Sequence, residues 1–155
     1  MSGANLLISG GYVLTMDSVG DLPVGDVHVR DGVIKQIGTG LDVPEAEVID
    51  ASGKIVAPGL VDTHWHMWNT LLRGMSDGRP MPDGPDRSGY FATCVGIGRH
   101  FRPGDTYAGT RLAAAEAIDA GITTVHDWAH NVRGVDWAEA GLRALAESGL
   151  RARFS

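Results

Sequence analysis

The residues best suited to chemistry are two histidines one position apart, His64 and His66, which end the apolar run 57–63. Side chains alternate faces along a β-strand, so the two imidazoles and the carboxylate of Asp62 are expected to point the same way. Imidazole nitrogens are preferred ligands of zinc, iron and nickel, whereas calcium and magnesium require oxygen ligands. The spacing therefore predicts half of a metal site.

The strand that carries the histidines follows a predicted domain boundary at Pro58, because proline cannot donate to a sheet ladder. Residues 5–56 hold about six short β-rich runs with no helical pattern among them. Asp31-Gly32 is a strong hairpin signal, and Gly10-Gly11 is interpreted as a second tight turn. Such strands predict a small antiparallel β-sandwich.

After Pro58 the pattern changes to strands that alternate with helices. Short strands are predicted at residues 59–63, 122–125 and 151–154, and the clearest helix at residues 103–119. A second helix is predicted at residues 136–149, with Asp136 and Glu139 at capping-box spacing and Gly149 at its end. This alternation is typical of a parallel sheet with helices outside it.

The segment between the histidines and the clearest helix is less regular. A short helical stretch is predicted at residues 68–73, and a further helix at residues 90–100. Residues 65–87 are otherwise rich in Gly, Pro, Asp and Met, which indicates a long functional loop.

Composition restricts the class of partner. A formal charge of −6 and scattered basic residues argue against nucleic acid, so a small-molecule partner is expected. No basic region precedes the interrupted N-terminal apolar run, which predicts neither a signal peptide nor a membrane span. Cys94 is the only cysteine, so no intrachain disulfide is possible and a cytoplasmic enzyme is expected.

Three motifs follow one another in a specific order, and together they carry a resemblance to a known family. They are Pro58-Gly59-Leu60-Val61-Asp62-Thr63-His64-Trp65-His66, Leu71-Leu72-Arg73-Gly74 and Ala120-Gly121-Ile122-Thr123-Thr124-Val125. Over residues 6–152 the chain resembles the metal-dependent amidohydrolase superfamily. The last two motifs resemble its branch of cytosine, guanine and triazine deaminases and chlorohydrolases.

The resemblance implies an α/β protein built on a (β/α)8 TIM barrel. Residues 1–57 would be the N-terminal part of the β-sandwich domain, and residues 58–155 the first β/α units of the hydrolase barrel. A complete barrel needs about 250 residues, so fewer than half of its units are expected in this chain. The missing C-terminal barrel segment is therefore an expected partner, and a homo-oligomer is left open.

The resemblance also implies a divalent metal held by His64 and His66, with zinc as the expected ion and iron as the alternative. The other ligands, the general base and the proton shuttle are expected beyond Ser155. The catalytic residues of this chain are therefore unknown, and the chain alone is expected to be inactive. Such a site activates a water molecule for attack on an sp2 carbon.

Polar side chains near the histidines have two interpretations each. Asp62 either orients a ligand histidine or bonds backbone at the strand end. His126 lies at the end of the next barrel strand, where it either contacts the substrate or metal shell or bonds a loop carbonyl. For His130 the bond to a loop carbonyl is the favoured role.

Tryptophans gather around the same predicted face. Trp65 and Trp68 are candidates for the wall of a pocket for a flat heterocycle, because aromatic walls with few polar anchors suit such a ligand. The alternative is that they are loop core, and this is the favoured role of Trp128. Trp65 is expected to point away from the histidines because it lies between them in a strand.

The expected activity is deamination of an amino-substituted nitrogen heterocycle, which is hydrolysis of a carbon–nitrogen bond other than a peptide bond. Hydrolysis of an amide bond or of a chloro substituent on the same scaffold is the alternative chemistry. A different class also remains, a non-catalytic fragment with a binding or assembly role. A fragment of an enzyme would leave its parallel strands uncovered, which self-contained soluble domains avoid.

Overall fold

The computed structural model describes residues 4–75 and 89–155. The chain divides into two compact units, Met1–Pro58 and Gly59–Ser155. A 3-10 helix covers Met67–Leu72. The strands and α-helices are, in chain order, β1 Asn5–Val13, β2 Leu22–Arg30, β3 Val33–Gly38, β4 Glu47–Asp50, β5 Ile55–Val56, β6 Leu60–Trp65, α1 Tyr90–Gly98, α2 Pro103–Asp119, β7 Ile122–Asp127, α3 Val135–Ser148 and β8 Arg151–Phe154.

The N-terminal unit holds one five-stranded sheet in which the order is β3-β2-β1-β4 and β5 also pairs with β1. The predicted hairpin at Asp31-Gly32 is confirmed, because it joins β2 to the antiparallel strand β3. Both turn residues have positive φ, 55° at Asp31 and 73° at Gly32. These angles match the mirror-image turn that the right-handed twist of two strands favours.

The tight turn predicted at Gly10-Gly11 is wrong. The chain continues through both glycines as a single strand, and its pairing with β2 shifts register between Ile8 and Gly11. Gly10 has a φ of 78°, which suits a β-bulge that only glycine adopts without strain. The buried carboxylate of Asp26 fixes the bulge by accepting bonds from the Ser9 hydroxyl at 2.7 Å and the Gly10 N–H at 2.9 Å.

The prediction that all strands of the N-terminal unit are antiparallel is also wrong. Strands β4 and β5 both run parallel to β1. After β3 the chain does not form a hairpin. Residues 39–46 connect β3 to β4, which lies on the other side of β1. A crossover of this kind returns the strand in the direction of β1, so the sheet is mixed.

The C-terminal unit holds three parallel strands in the order β6-β7-β8. Helices α1 and α2 lie between β6 and β7 in the chain, and α3 lies between β7 and β8. The predicted alternation of strands and helices is therefore confirmed as a mixed α/β unit. Parallel strands end at the same edge of a sheet, so the segments after β6, β7 and β8 lie close together.

Helix boundaries follow local signals closely. Helix α2 has the predicted bounds, and the Asp105 carboxylate accepts the backbone N–H of Arg102 at 2.8 Å at its start. Helix α3 ends at Gly149, whose φ of 81° is the left-handed conformation typical of a helix end. The capping box predicted at its start does not form, since Gly134 precedes the helix without a side-chain cap.

The predicted helical stretch after the histidines is present as the 3-10 helix, and the helix predicted at residues 90–100 is present as α1. The loop predicted over residues 65–87 lies largely outside the described residues, which omit 76–88. No helix within the described ranges is long and apolar enough to cross a membrane.

The core of the C-terminal unit lies between the sheet and its helices. Its buried cluster consists of Met67, Ala113, Ala114, Val125 and Leu145. Alanines on this face of α2 let the helix come close to its neighbours. The core therefore fixes β7 and the segment after β6, which carry the candidate site.

Candidate metal centre

The two histidines lie together where β6 ends. Their Nε2 atoms are 3.4 Å apart, and the ring planes stand at 87° with centroids 5.0 Å apart. One point between the rings therefore lies within reach of both Nε2 atoms.

This geometry fits a metal ion. Two nitrogens bound to one tetrahedral zinc at about 2.0–2.1 Å are separated by about 3.3 Å, close to the 3.4 Å between the Nε2 atoms of His64 and His66. Imidazole nitrogen is also the donor type that zinc and iron accept. Within residues 4–75 and 89–155, no group of three or more His, Cys, Asp and Glu side chains is arranged to hold an ion. The spacing of the pair suits two ligands of one ion, and no third ligand accompanies them among the described residues.

The ring of His66 is oriented by the segment after β7. Its Nδ1–H donates to the backbone carbonyl of Trp128 at 2.7 Å, which leaves Nε2 as the unprotonated nitrogen. His130 Nδ1 lies 3.0 Å from the same His66 nitrogen and 3.3 Å from the same carbonyl. Burial lowers the pKa of His130, so its ring favours the neutral form.

Asp127, the last residue of β7, is buried with 1% of its surface exposed. Its Oδ1 accepts the backbone N–H of Met67 at 3.1 Å, whereas Oδ2 has no partner among the described residues. Burial raises the pKa of this carboxyl to about 6, against the smaller opposing effects of the Met67 N–H and of His66. The side chain ties the residue after His66 to the end of β7.

Asp62 lies where the pairing of β6 with β7 becomes irregular. The pairing of β6 with β7 shifts register between Asp62 and Trp65, where three steps along β6 match two along β7. This irregularity interrupts the alternation. The Asp62 carboxylate accepts the backbone N–H of His64 at 2.9 Å, which is the backbone role among its two interpretations.

His126 lies on the neighbouring strand and contacts the same region. Its Nε2 is 2.7 Å from the Ser155 hydroxyl, and its ring centroid is 4.8 Å from that of Trp128. The structure therefore brings His126 beside the residue that holds His66, although it does not bond either candidate ligand.

Of the three tryptophans predicted near the histidines, Trp65 and Trp68 are part of the protein interior. Trp65 is half-buried against the core cluster, away from the histidine rings. Trp68 is 2% exposed and packs with Leu72, Cys94 and Phe101. The centroid of its ring also lies 5.3 Å from that of His130, so Trp68 contacts the segment after β7.

An open cleft of about 480 Å³ adjoins His66 and His130. Its wall includes His66, Trp68, Phe91, Arg99, His130 and Arg133. Aromatic and basic side chains therefore border the space beside the candidate metal position.

The segment His126-Asp127-Trp128-Ala129-His130 makes more contacts with the two histidines than its sequence predicts. Trp128 was expected to be loop core, yet its ring stacks on His64 with centroids 4.7 Å apart and planes at 10°. The available signal was the dense polar and aromatic run directly after β7, the parallel neighbour of β6. Such a run at the carboxyl end of a strand points to the same edge as the histidines.

No family model matches the chain. It is 35% identical over 153 residues to 5'-deoxyadenosine deaminase of Methanosarcina acetivorans, covering 98% of this chain and 33% of that protein. It is 31% identical over 147 residues to 5-methylthioadenosine/S-adenosylhomocysteine deaminase of Pyrococcus furiosus, covering 94% and 34%. The chain thus spans about one third of the length of the curated relatives it matches.

Solved structures with the same fold include a triazine hydrolase from Arthrobacter aurescens, with a TM-score of 0.81 and 24% identity over 97% of this chain and 35% of that one. An atrazine chlorohydrolase from the same organism, complexed with zinc, has a TM-score of 0.77 and 23% identity with the same coverage. The ordered motifs that resemble the metal-dependent amidohydrolase superfamily are therefore accompanied by sequence similarity to deaminases of adenosine derivatives and by a fold shared with triazine hydrolases.

Proposed function

We propose that this chain is part of a metal-dependent hydrolase that deaminates an amino-substituted nitrogen heterocycle. The observation that carries the proposal is the 3.4 Å separation of His64 Nε2 and His66 Nε2, which suits two ligands of one ion. The relatives are deaminases of adenosine derivatives, which supports the choice of reaction and substrate class.

In this proposal His64 and His66 hold a divalent metal, with zinc expected and iron as the alternative. When bound, such an ion supplies Lewis acidity that makes a water molecule reactive near neutral pH. Zinc is favoured because nitrogen donors suit it and because one protein of the same fold is complexed with zinc.

The chain's own residues would position the His66 ring and enclose part of the substrate. The carbonyl of Trp128 keeps the Nδ1–H of His66 occupied, so that Nε2 faces the candidate metal position. The cleft beside His66 offers an aromatic surface for a flat ring and two guanidinium groups, Arg99 and Arg133, at its border. None of the described residues has a proposed role in proton transfer. The group that transfers the proton is expected beyond Ser155.

The proposed architecture follows from the same family. The sheet within residues 1–57 would be the N-terminal part of a β-sandwich domain, and residues 58–155 the first units of a (β/α)8 barrel. The remaining strands and ligands would come from a C-terminal barrel segment. A cytoplasmic location belongs to this proposal and rests on the single cysteine.

Substrate class is tested with the metal-loaded, full-length protein and a panel of adenosine derivatives, aminopyrimidines and aminotriazines. Ammonia release from at least one ring amine is the expected result. Release of chloride from chlorotriazines alone would indicate the alternative leaving group. Turnover confined to amides or esters would contradict the assigned branch even if metal binding were intact.

The ligand assignment is tested by His64→Ala and His66→Ala, each assayed for zinc content by mass spectrometry and for zinc affinity. Each change should weaken binding by more than the roughly 10–100-fold lost when an outer-shell partner is removed. His28→Ala is the control, because His28 lies in the N-terminal sheet and bonds Asn5. Unchanged zinc affinity in both variants would refute the assignment.

A further inference from the structure

Trp128 contacts every residue of the segment 63–66, through both its side chain and its backbone. We propose that it is the positioning residue of the site: it stacks on His64, bonds His66, and holds both rings in the geometry that binds a metal. The inference rests on the proposed function for the identity of the ligands, and it adds a residue that the local motif does not contain.

The side chain of Trp128 contacts His64 and Thr63. Its indole ring stacks on the His64 ring with centroids 4.7 Å apart and planes at 10°. Its Nε1–H donates to the Thr63 carbonyl at 3.2 Å, which fixes the indole against the strand that carries the histidines. A stacked planar ring restricts rotation of the His64 imidazole, which is otherwise exposed to solvent.

The backbone of Trp128 makes the other two contacts. Its N–H donates to the Trp65 carbonyl at 2.7 Å and extends the pairing of β7 with β6 by one step. Its carbonyl accepts the Nδ1–H of His66 at 2.7 Å. Four consecutive residues, 63 to 66, are thus held by a single residue of the neighbouring strand's extension.

These contacts select one tautomer of His66. A neutral imidazole has one N–H, so donation through Nδ1 leaves a lone pair on Nε2. His130 is consistent with this assignment, because two N–H groups cannot face each other across 3.0 Å and its Nδ1 therefore accepts. The carbonyl lies 2.7 Å from His66 and 3.3 Å from His130, which makes His66 the donor.

The experiment uses the full-length protein in metal-free and zinc-loaded forms. Nitrogen NMR of the metal-free protein near pH 8, where an ordinary imidazole is neutral, reports the tautomer of His66. Competition with a chromophoric chelator reports zinc affinity, and cobalt substitution reports ligand geometry through its absorption spectrum. None of these measurements depends on catalytic activity.

Three variants separate positioning from general stability. Trp128→Leu removes the flat ring and the indole N–H, whereas Trp128→Phe keeps a ring that can stack on His64. Trp137→Phe is the matched control, because it also removes an indole N–H that donates to a carbonyl, that of Phe101 at 3.1 Å. Trp137 lies on α3, away from the histidines, and thermal unfolding checks that each variant folds.

Trp128→Leu should weaken zinc binding about 10–100-fold and alter the cobalt spectrum. The zinc affinity of Trp128→Phe should stay within about threefold of that of the unmodified protein, a change well under a factor of ten. Trp137→Phe should not change zinc affinity. Zinc affinity of Trp128→Leu equal to that of the unmodified protein, or an equal loss in Trp137→Phe, would overturn the proposal.

The proposal can also be tested on the unmodified protein, without any variant. The metal-free form should show His66 protonated at Nδ1 and ring protons of His64 shifted by the stacked indole. A His66 protonated at Nε2 would overturn the proposal whatever the variants do. Zinc affinity that survives loss of His64 and His66 would instead refute the proposed function, while the tautomer would still decide the role of Trp128.

Discussion

The buried carboxyl of Asp127 bonds the backbone next to His66 and makes no hydrogen bond to His64 or His66. Its Oδ1 accepts the N–H of Met67, a residue with 0% of its surface exposed. Burial raises the pKa of Asp127 to about 6, so a group in this position costs free energy when ionised. Retaining it is useful because the Met67 N–H would otherwise have no acceptor.

Asp127→Ala should lower the free energy of unfolding by about 1–3 kcal/mol, because it leaves a buried backbone donor unsatisfied. Asp127→Asn keeps an oxygen acceptor and should cost less than the alanine change. Urea unfolding of the metal-free, full-length protein is the measurement. Equal stability of the alanine variant and the unmodified protein would show that Met67 finds another acceptor.

Residue-level prediction succeeded where contacts are local and failed where they are distant. The spacing of His64 and His66 is enough to place both residues at the same end of β6, since it depends on neighbouring positions of one strand. The roles of Trp128 and Asp127 depend on the register between β6 and β7, residues more than 55 positions apart in sequence. A single sequence does not determine that register, because the one-residue irregularity after Asp62 has no sequence signal of its own.

At the scale of elements, the close approach of α2 to the 3-10 helix positions the segment after the histidines. Gly109 makes it possible, because a Cβ there would lie 2.4 Å from the backbone oxygen of Trp68. The bidentate ion pair of Arg73 with Glu116 joins the same two elements at the surface. Arg73, part of the Leu-Leu-Arg-Gly motif, therefore has a structural contact.

Gly109→Ala should destabilise the protein by about 1–3 kcal/mol, since the added methyl meets backbone that cannot rotate away. Gly104→Ala is the matched control in the same helix, where no atom lies within 4 Å of the added methyl. That change should be neutral or slightly stabilising, because alanine favours helix more than glycine does. Thermal unfolding of both variants distinguishes them, and equal shifts would contradict the packing argument.

Elements marked by strong local chemistry were predictable, and their connections were less so. Pro103 and Asp105 define the start of α2, and Asp31-Gly32 defines a hairpin, because these residues act on their own backbone. Gly10-Gly11 carries a signal shared by turns and bulges, and only the partner strand distinguishes them. The parallel direction of β4 is set by a crossover, for which residues 39–46 hold no specific marker.

At the scale of the whole chain, the sheet of the C-terminal unit has unpaired edges. Among the described residues β6 and β8 each pair on one side only. Leu60 and Val61 in β6 are 60% and 63% exposed. Apolar edge strands of this kind are templates for pairing with another chain.

Residues 1–155 expressed alone should therefore self-associate or bind a complementary segment. Size-exclusion chromatography with light scattering should give masses above that of one chain. The full-length protein at equal concentration is the comparison, and its β6 edge should be covered. A monodisperse, cooperatively melting monomer of residues 1–155 would contradict the prediction and favour the alternative of a non-catalytic chain with a binding or assembly role.

During synthesis the histidine pair leaves the ribosome well before the residue that orients it. His66 and Trp128 are 62 positions apart, which corresponds to several seconds at about 5–20 residues per second. Until β7 arrives, β6 has no parallel neighbour and both imidazoles turn freely. We therefore expect the nascent chain to bind metal only weakly through these histidines, and loading to follow the pairing of β6 with β7 rather than to guide it.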